Sequence, residues 1–284
     1  MPRFKLVIEY NGTRYSGWQI QQNARTVAGE IDRAIREVAR RKEFELYGAG
    51  RTDAGVHAIG QVAHLDLYTD LPPASLLARL NDALPSDICI RSIERVPHRF
   101  HARHDAQARA YLYQIARRRT AFFKPFVWWI REPLDLARMR DASEAFLGMR
   151  DFAAFTADEP GEKSTSVLVD RLEVGEHGDL ILIRIVGSHF LWRMVRRMVG
   201  VLAAVGRGEF PAKDVATLLE SRSDLPAKLT APACGLFLES VFYRGDDPPG
   251  PLRPATGVSA SPSERTAPAG RRATGPGRRS SESP

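Results

Sequence analysis

The sequence predicts an α+β protein with a mostly antiparallel central sheet, closed by a tail that lies outside the fold. Three observations carry this. Strand-like and helix-like apolar periods alternate from residue 4 to 243 in runs, without the strict βαβ order that a parallel sheet needs. With 43% hydrophobic and 26% charged residues in 284, the chain can bury one large core or two smaller ones. Residues 246 to 284 are rich in Pro, Gly, Ser, Ala and Arg with almost no large apolar side chains, too little to offset the entropy of ordering.

The elements follow in order. Phe4 to Tyr10 reads as a strand closed by the turn formers Asn11-Gly12. Val27, Ile31, Ile35 and Val38 then recur at helical spacing behind Thr26, whose hydroxyl suits an N-cap. Strands at 44–49 and 60–68 flank a glycine-rich loop, and a helix at 73–83 and a strand at 87–96 complete a first half, residues 1–105. A second half, 106–245, opens on the alternating stretch Ala108 to Ala116. It continues through a helix at 135–147 and strands at 168–174 and 179–186 joined by Glu176-His177-Gly178-Asp179. A long helix from Ser188, a short one at 211–221 and a strand from Leu236 to Tyr243 finish it.

The formal charge is +7, and +5 remains when the 39 residues of the tail are set aside, so the folded part is itself basic and suits a polyanionic partner. The tail, of net +2, is expected to be a weak, dispensable electrostatic tether. No apolar run approaches the roughly 20 residues that span a bilayer, and Met1-Pro2-Arg3-Phe4-Lys5 runs straight into a strand, which points to a cytoplasmic protein without a membrane partner. Cys89 and Cys234 stand apart with no ligand-spaced companion, so they read as buried thiols, not as a disulfide or a zinc site.

The most unusual local feature is the loop at 48–57. Glycines at 48, 50 and 55 let backbone pass close to a ligand, while Arg51, Asp53 and His57 gather three ionisable groups. The loop lies between two strands and lacks the Gly-Lys-Ser/Thr of a phosphate-binding loop. Arg51 beside Asp53 would favour an ionised carboxylate, free to act as nucleophile or base. The same residues also suit an ordinary Asp-Ala-Gly turn in which Asp53 bonds its own backbone and Arg51 is a surface charge.

Gly50-Arg51-Thr52-Asp53-Ala54-Gly55-Val56-His57 resembles the active-site motif of the tRNA pseudouridine synthase A family. Also similar to that family, in the same order, are Ile8 to Gly12 with Tyr15 to Gln19, Gly60-Gln61-Val62, Phe100 to Arg103, Ala108 to Tyr113 and Met194 to Gly200. The resemblance implies a pseudouridine synthase fold of two similar α/β halves with the active site between them. It also implies a homodimer gripping tRNA, uridine targets at positions thirty-eight to forty of the anticodon stem-loop, and no cofactor.

By the same resemblance Asp53 matches the aspartate that attacks the target nucleotide, after which the glycosidic bond breaks, the uracil turns and C5 joins C1′. Attack on C1′ or on the base C6 is left open. Tyr111 matches the tyrosine that contacts the base and helps remove the C5 proton, with Tyr113 as a core residue. Arg196 matches the arginine that pairs with the aspartate.

On a helix from Ser188, Leu191, Val195, Met198 and Leu202 form a packing stripe, with His189, Arg193, Arg196 and Gly200 on another. Arg193 and Arg197 read equally as RNA contacts or solvated charges, and Arg51, Arg103, Arg109 and the run Arg117-Arg118-Arg119 would add basic surface. His98, His101 and His104 invite a metal reading, which the interleaved Arg99 and Arg103 and the lack of a nearby carboxylate or cysteine cluster argue against. Two departures from the family pattern stand out: the arginine usually found a few residues after the lysine and serine is lacking after Lys163-Ser164, and Trp192-Arg193 replaces a more usual polar pair before Met194-Val195-Arg196. Two rival readings are a noncatalytic RNA-binding protein of the same fold and a hydrolase using Asp53. The hydrolase lacks a second carboxylate at a convincing spacing.

Overall fold

A computed structural model describes residues 1–40, 43–158, 161, 164–221 and 223–255. In chain order the strands and helices are β1 (Arg3–Tyr10), α1 (Val27–Ala39), β2 (Glu45–Gly48), β3 (His57–Asp66), α2 (Pro73–Ala83), β4 (Ile88–Val96) and β5 (Ala108–Ala116). They continue with β6 (Trp128–Trp129), α3 (Leu136–Ser143), β7 (Gly148–Asp151), β8 (Ser166–His177), β9 (Leu180–Gly187), α4 (Met194–Gly206), α5 (Val215–Glu220), α6 (Leu225–Lys228) and β10 (Leu236–Phe242). Together they make an α+β fold on one mixed sheet, in which β4-β1-β3-β10-β5-β9-β8-β7 are neighbours, β2 adds to β3 and β6 to β5. Pairing is antiparallel except for β10 with β3 and β6 with β5.

The burial of β1 alternates strictly, with Phe4, Leu6, Ile8 and Tyr10 inward, as the period of two requires. Thr26 caps α1 by accepting from the Gly29 N–H at 3.2 Å. The helices pack one sheet face into the main core, and a smaller cluster of Leu112, Leu180, Leu182 and Phe237 covers the other.

Two expectations are corrected here. The last long helix begins at Met194 and not at Ser188, because residues 188–193 are engaged elsewhere. The Ser188 N–H extends the sheet by donating to Leu168 O, Trp192 N–H donates to Asp158 Oδ2, and Arg193 takes the left-handed conformation at φ 62°. His189 and Arg193 therefore share no helical stripe with Arg196. Gly200 does face a close neighbour, since a Cβ there would lie 1.7 Å from the Leu229 carbonyl.

The tail also starts later than residue 246. Arg184, only 2% exposed, forks onto Glu239 at 2.8 and 2.7 Å and donates to Gly250 O at 2.8 Å and Pro251 O at 3.1 Å. Leu252 packs on the smaller cluster, and Ala255 N–H donates to Gln114 Oε1 at 2.8 Å. A buried guanidinium needs every donor met, so the chain through Ala255 belongs to the fold; the rest of the expected tail, 256–284, lies outside the described residues. Deleting 256–284 is expected to leave the urea midpoint unchanged, whereas deleting 246–284 lowers unfolding free energy by about 1–3 kcal/mol, the worth of hydrogen bonds to a charged group. Equal midpoints for the two truncations would refute this.

Candidate active site

The loop between β2 and β3 is held by the segment that follows β1. Gly17, at φ 92°, brings backbone so near that a Cβ would sit 2.5 Å from Thr52 O, and one on Gly12 would sit 1.9 Å from Val56 O. Trp18 N–H donates to Thr52 O, Gly55 N–H donates to Tyr15 O, and Val56 N–H closes the turn on Asp53 O at 3.1 Å. Buried Tyr10 meets the Thr52 hydroxyl at 2.8 Å, and Gln61 Nε2 donates to Gly50 O at 2.9 Å. The bend carrying Asp53 is therefore fixed on both sides, and its carboxylate is left for other partners.

That partner is Arg196 of α4, whose Nη1 donates to Asp53 Oδ2 at 3.2 Å while its Nε donates to Ala231 O at 2.7 Å. Arg51, which local spacing suggested as the partner, is exposed and forms no ion pair among the described residues. Tyr111 lies on β5 between Leu238 of β10 and Ile185 of β9, and its ring meets Phe190 edge-on with centroids 5.1 Å apart. Burial, then the negative charge of Asp53, pushes its phenol well above the ordinary tyrosine range. Tyr113, two residues on, is core, its hydroxyl donating to Pro232 O at 2.8 Å.

The remaining arginines divide by geometry. Arg109 spends its donors on four carbonyls, those of Ala106, Ser188, Ala49 and Arg103, so it clamps the base of the Asp53 loop to the ends of β5 and β9. Arg197 donates to Ala154 O and Thr156 O and supports that turn behind α4. Arg103 and Arg193 are exposed. Arg117 and Arg118 pair with Glu176 and Asp179, which reduces the basic character expected of that run. Lys163 of the noted departure lies outside the described residues. A cavity of about 410 Å³, lined by Ile115, Arg117, Arg131 and Glu132 among others, includes none of Asp53, Tyr111 and Arg196.

His57 belongs to the frame. It is 1% exposed, its Nδ1 accepts from Gly12 N–H at 3.0 Å, and so its Nε2 carries the proton toward Pro125 O and Cys234 O at 2.9 and 3.2 Å. Burial lowers its pKa, and burial with the nearby Arg3 and His101 pushes His64 down to about 4. His64 Nδ1 accepts from Ala102 N–H, and its ring stands against His101, which touches His104. Both depressed groups favour the folded state when neutral. Their contribution is complete above the unfolded histidine pKa of about 6.5 and is lost as pH falls through the folded values. Unfolding free energy is expected to decline from pH 6.5 toward 4, and His64→Asn, whose Oδ1 can still accept from Ala102, to flatten that slope. An unchanged slope in urea titrations of the variant would refute the assignment.

Sequence reasoning missed the Arg109 clamp, Phe190 against Tyr111, and the Tyr10–Thr52 contact. Alternation along β1 offered a signal for the last, since it turns Tyr10 inward with Ile8. The described residues include no helix long and apolar enough to cross a membrane.

A family model described as tRNA pseudouridine synthase matches residues 6–105 and 142–244. The tRNA pseudouridine synthase A of Pseudothermotoga lettingae is 37% identical over 246 residues, covering 86% of this chain and 100% of that protein. That of Paramagnetospirillum magneticum is 40% identical over 246 residues, covering 86% and 96%. That of Exiguobacterium sp. is 36% identical over 247 residues, covering 87% and 100%.

Proposed function

The chain belongs to the tRNA pseudouridine synthase family, and from that premise we propose that it isomerises uridines at positions thirty-eight to forty of the tRNA anticodon stem-loop, with Asp53 as nucleophile. The observation that carries the reading is the Asp53–Arg196 pair: a carboxylate on a fixed bend, oriented by a guanidinium itself anchored to Ala231 O. A carboxylate nucleophile divides one difficult substitution into two easier steps and needs no metal or redox group. Asp53 forms a bond to the target nucleotide, the N1–C1′ bond breaks, the uracil turns, C5 bonds C1′ and the bond to Asp53 is released; C5 loses one proton and N1 gains one, so the product is an isomer of the substrate and the carboxylate is regenerated.

Tyr111, with Phe190 behind it, offers the turning uracil a ring to contact. Its raised pKa means that in the resting enzyme it is a neutral phenol, which favours contact with the base over a standing phenolate base. Arg103 and Arg193 are the exposed cations we assign to the RNA backbone, while Arg109 and Arg197 act by positioning the loops they clamp. Arg51, exposed beside the bend, is assigned to the phosphate of the target nucleotide. We further propose that the chain works in the cytoplasm as a homodimer whose two copies widen the cationic footprint, with residues 1–105 supplying Asp53 and 106–245 supplying Tyr111 and Arg196.

The test is single-turnover conversion of unmodified tRNA, mapped position by position, with binding measured alongside. Product confined to the anticodon arm supports the proposal. Product elsewhere refutes the assigned positions, and tight binding by well-folded protein without any product would favour the noncatalytic RNA-binding alternative.

A further inference from the structure

The loop that joins β9 to α4 carries two aromatic side chains with different surroundings. Phe190 turns inward onto Tyr111. Trp192, two residues later, is 49% exposed, and the equally solvent-facing Arg193 holds its guanidinium carbon 5.0 Å from the indole centroid. Arg193 stands over the ring, and the backbone of both residues is held in place. Trp192 N–H donates to Asp158 Oδ2 at 3.3 Å, Trp192 O accepts from Ala157 N–H at 2.9 Å, and Arg193 O accepts from Arg197 N–H at 3.0 Å. The pair is fixed at its backbone and open at its side chains. Arg193 immediately precedes α4, three residues before Arg196, the residue on Asp53.

We infer that Trp192 is a stacking platform for a nucleobase next to the target uridine, with Arg193 reaching the phosphate of the same nucleotide. This rests on the synthase reading above. Bringing a uridine to Asp53 takes it out of its stack and leaves its neighbours without a partner. An indole face replaces that lost stacking for any base, and a cation over the same ring adds the charge that a polyanion seeks and a protein partner would not require. The site would thus contribute affinity that tolerates sequence variation around the target.

The experiment uses the full chain with an unmodified tRNA transcript and the variants Trp192→Phe and Trp192→Leu, the second keeping apolar bulk without a π face. Trp192→Leu is expected to raise the tRNA Kd by about 5- to 150-fold, the range that loss of one stacked base implies. The rate at saturating tRNA should stay within about threefold of wild type, because Trp192 lies outside the reacting groups. Trp192→Phe should keep most of the affinity while losing a share of the tRNA-induced tryptophan quenching. Wild-type affinity in Trp192→Leu overturns the inference. So does a loss of affinity that appears only with loss of the dimer in sedimentation, which would assign the indole to contact between copies. If wild type makes no pseudouridine but its binding still depends on Trp192, the synthase reading fails while the stacking platform stands.

Discussion

Asp53→Asn is expected to lower the single-turnover rate of pseudouridine formation by on the order of 10⁴-fold or more while tRNA affinity stays within a few-fold of wild type. The substitution keeps size and one acceptor, so Arg196 Nη1 retains a partner at the position now 3.2 Å from its donor. What is removed is the negative oxygen that forms the covalent bond, and an amide cannot replace it. The fold should tolerate the change because the bend does not depend on this side chain: backbone contacts to Tyr15, Trp18 and Val56 hold it. The pair is also partly open to solvent, at 17% and 23% side-chain exposure, so its electrostatic share of stability is about 1 kcal/mol or less. Rapid conversion by the folded variant would sink the nucleophile assignment, and a collapse of binding would mean that Asp53 acts on the ground state as well.

The strands were legible from two different patterns. Alternation in β1 turns Phe4, Leu6, Ile8 and Tyr10 inward, and a one-residue slip would put them on the wrong side, whereas β9, buried along its whole length, was legible as a continuous apolar run. The Asp53 loop was legible because three glycines and three ionisable residues gather within it and because the family motif covers it. Long-range partners were not legible. Arg51 is two residues from Asp53 and looked like its counter-ion, yet the cation that reaches it is 143 residues away. The start of α4 failed for the same reason: Leu191, Val195 and Met198 fit a helical period, but Ser188 and Trp192 are held by Leu168 and Asp158, contacts that no local window contains. Arg184 lies within the apolar run of β9, and only tertiary structure reveals the carboxylates and tail carbonyls that make it tolerable there.

Arg196→Ala is expected to slow chemistry by about 10²- to 10³-fold while tRNA affinity changes little, because Arg196 touches the nucleophile and two of its donors are already in use. Arg196 ties three elements together. Its side chain joins Asp53 to Ala231 O, and its own carbonyl accepts from Ala231 N–H at 3.0 Å, in the segment that passes close over Gly200. Removing the guanidinium therefore frees the carboxylate to rotate and leaves a carbonyl at Ala231 without its donor, and a displacement near 1 Å is enough to lose two orders of magnitude. Stability should fall by only about 1–2 kcal/mol, since one hydrogen bond and a partly solvated pair are lost. Arg196→Lys separates charge from geometry. An ammonium restores the cation but cannot serve Ala231 O and Asp53 Oδ2 from two positions of one rigid plane, so most of the rate should stay lost. Full recovery in the lysine variant would mean that charge alone matters, and the same rate for Arg196→Ala and wild type would remove Arg196 from the catalytic machinery.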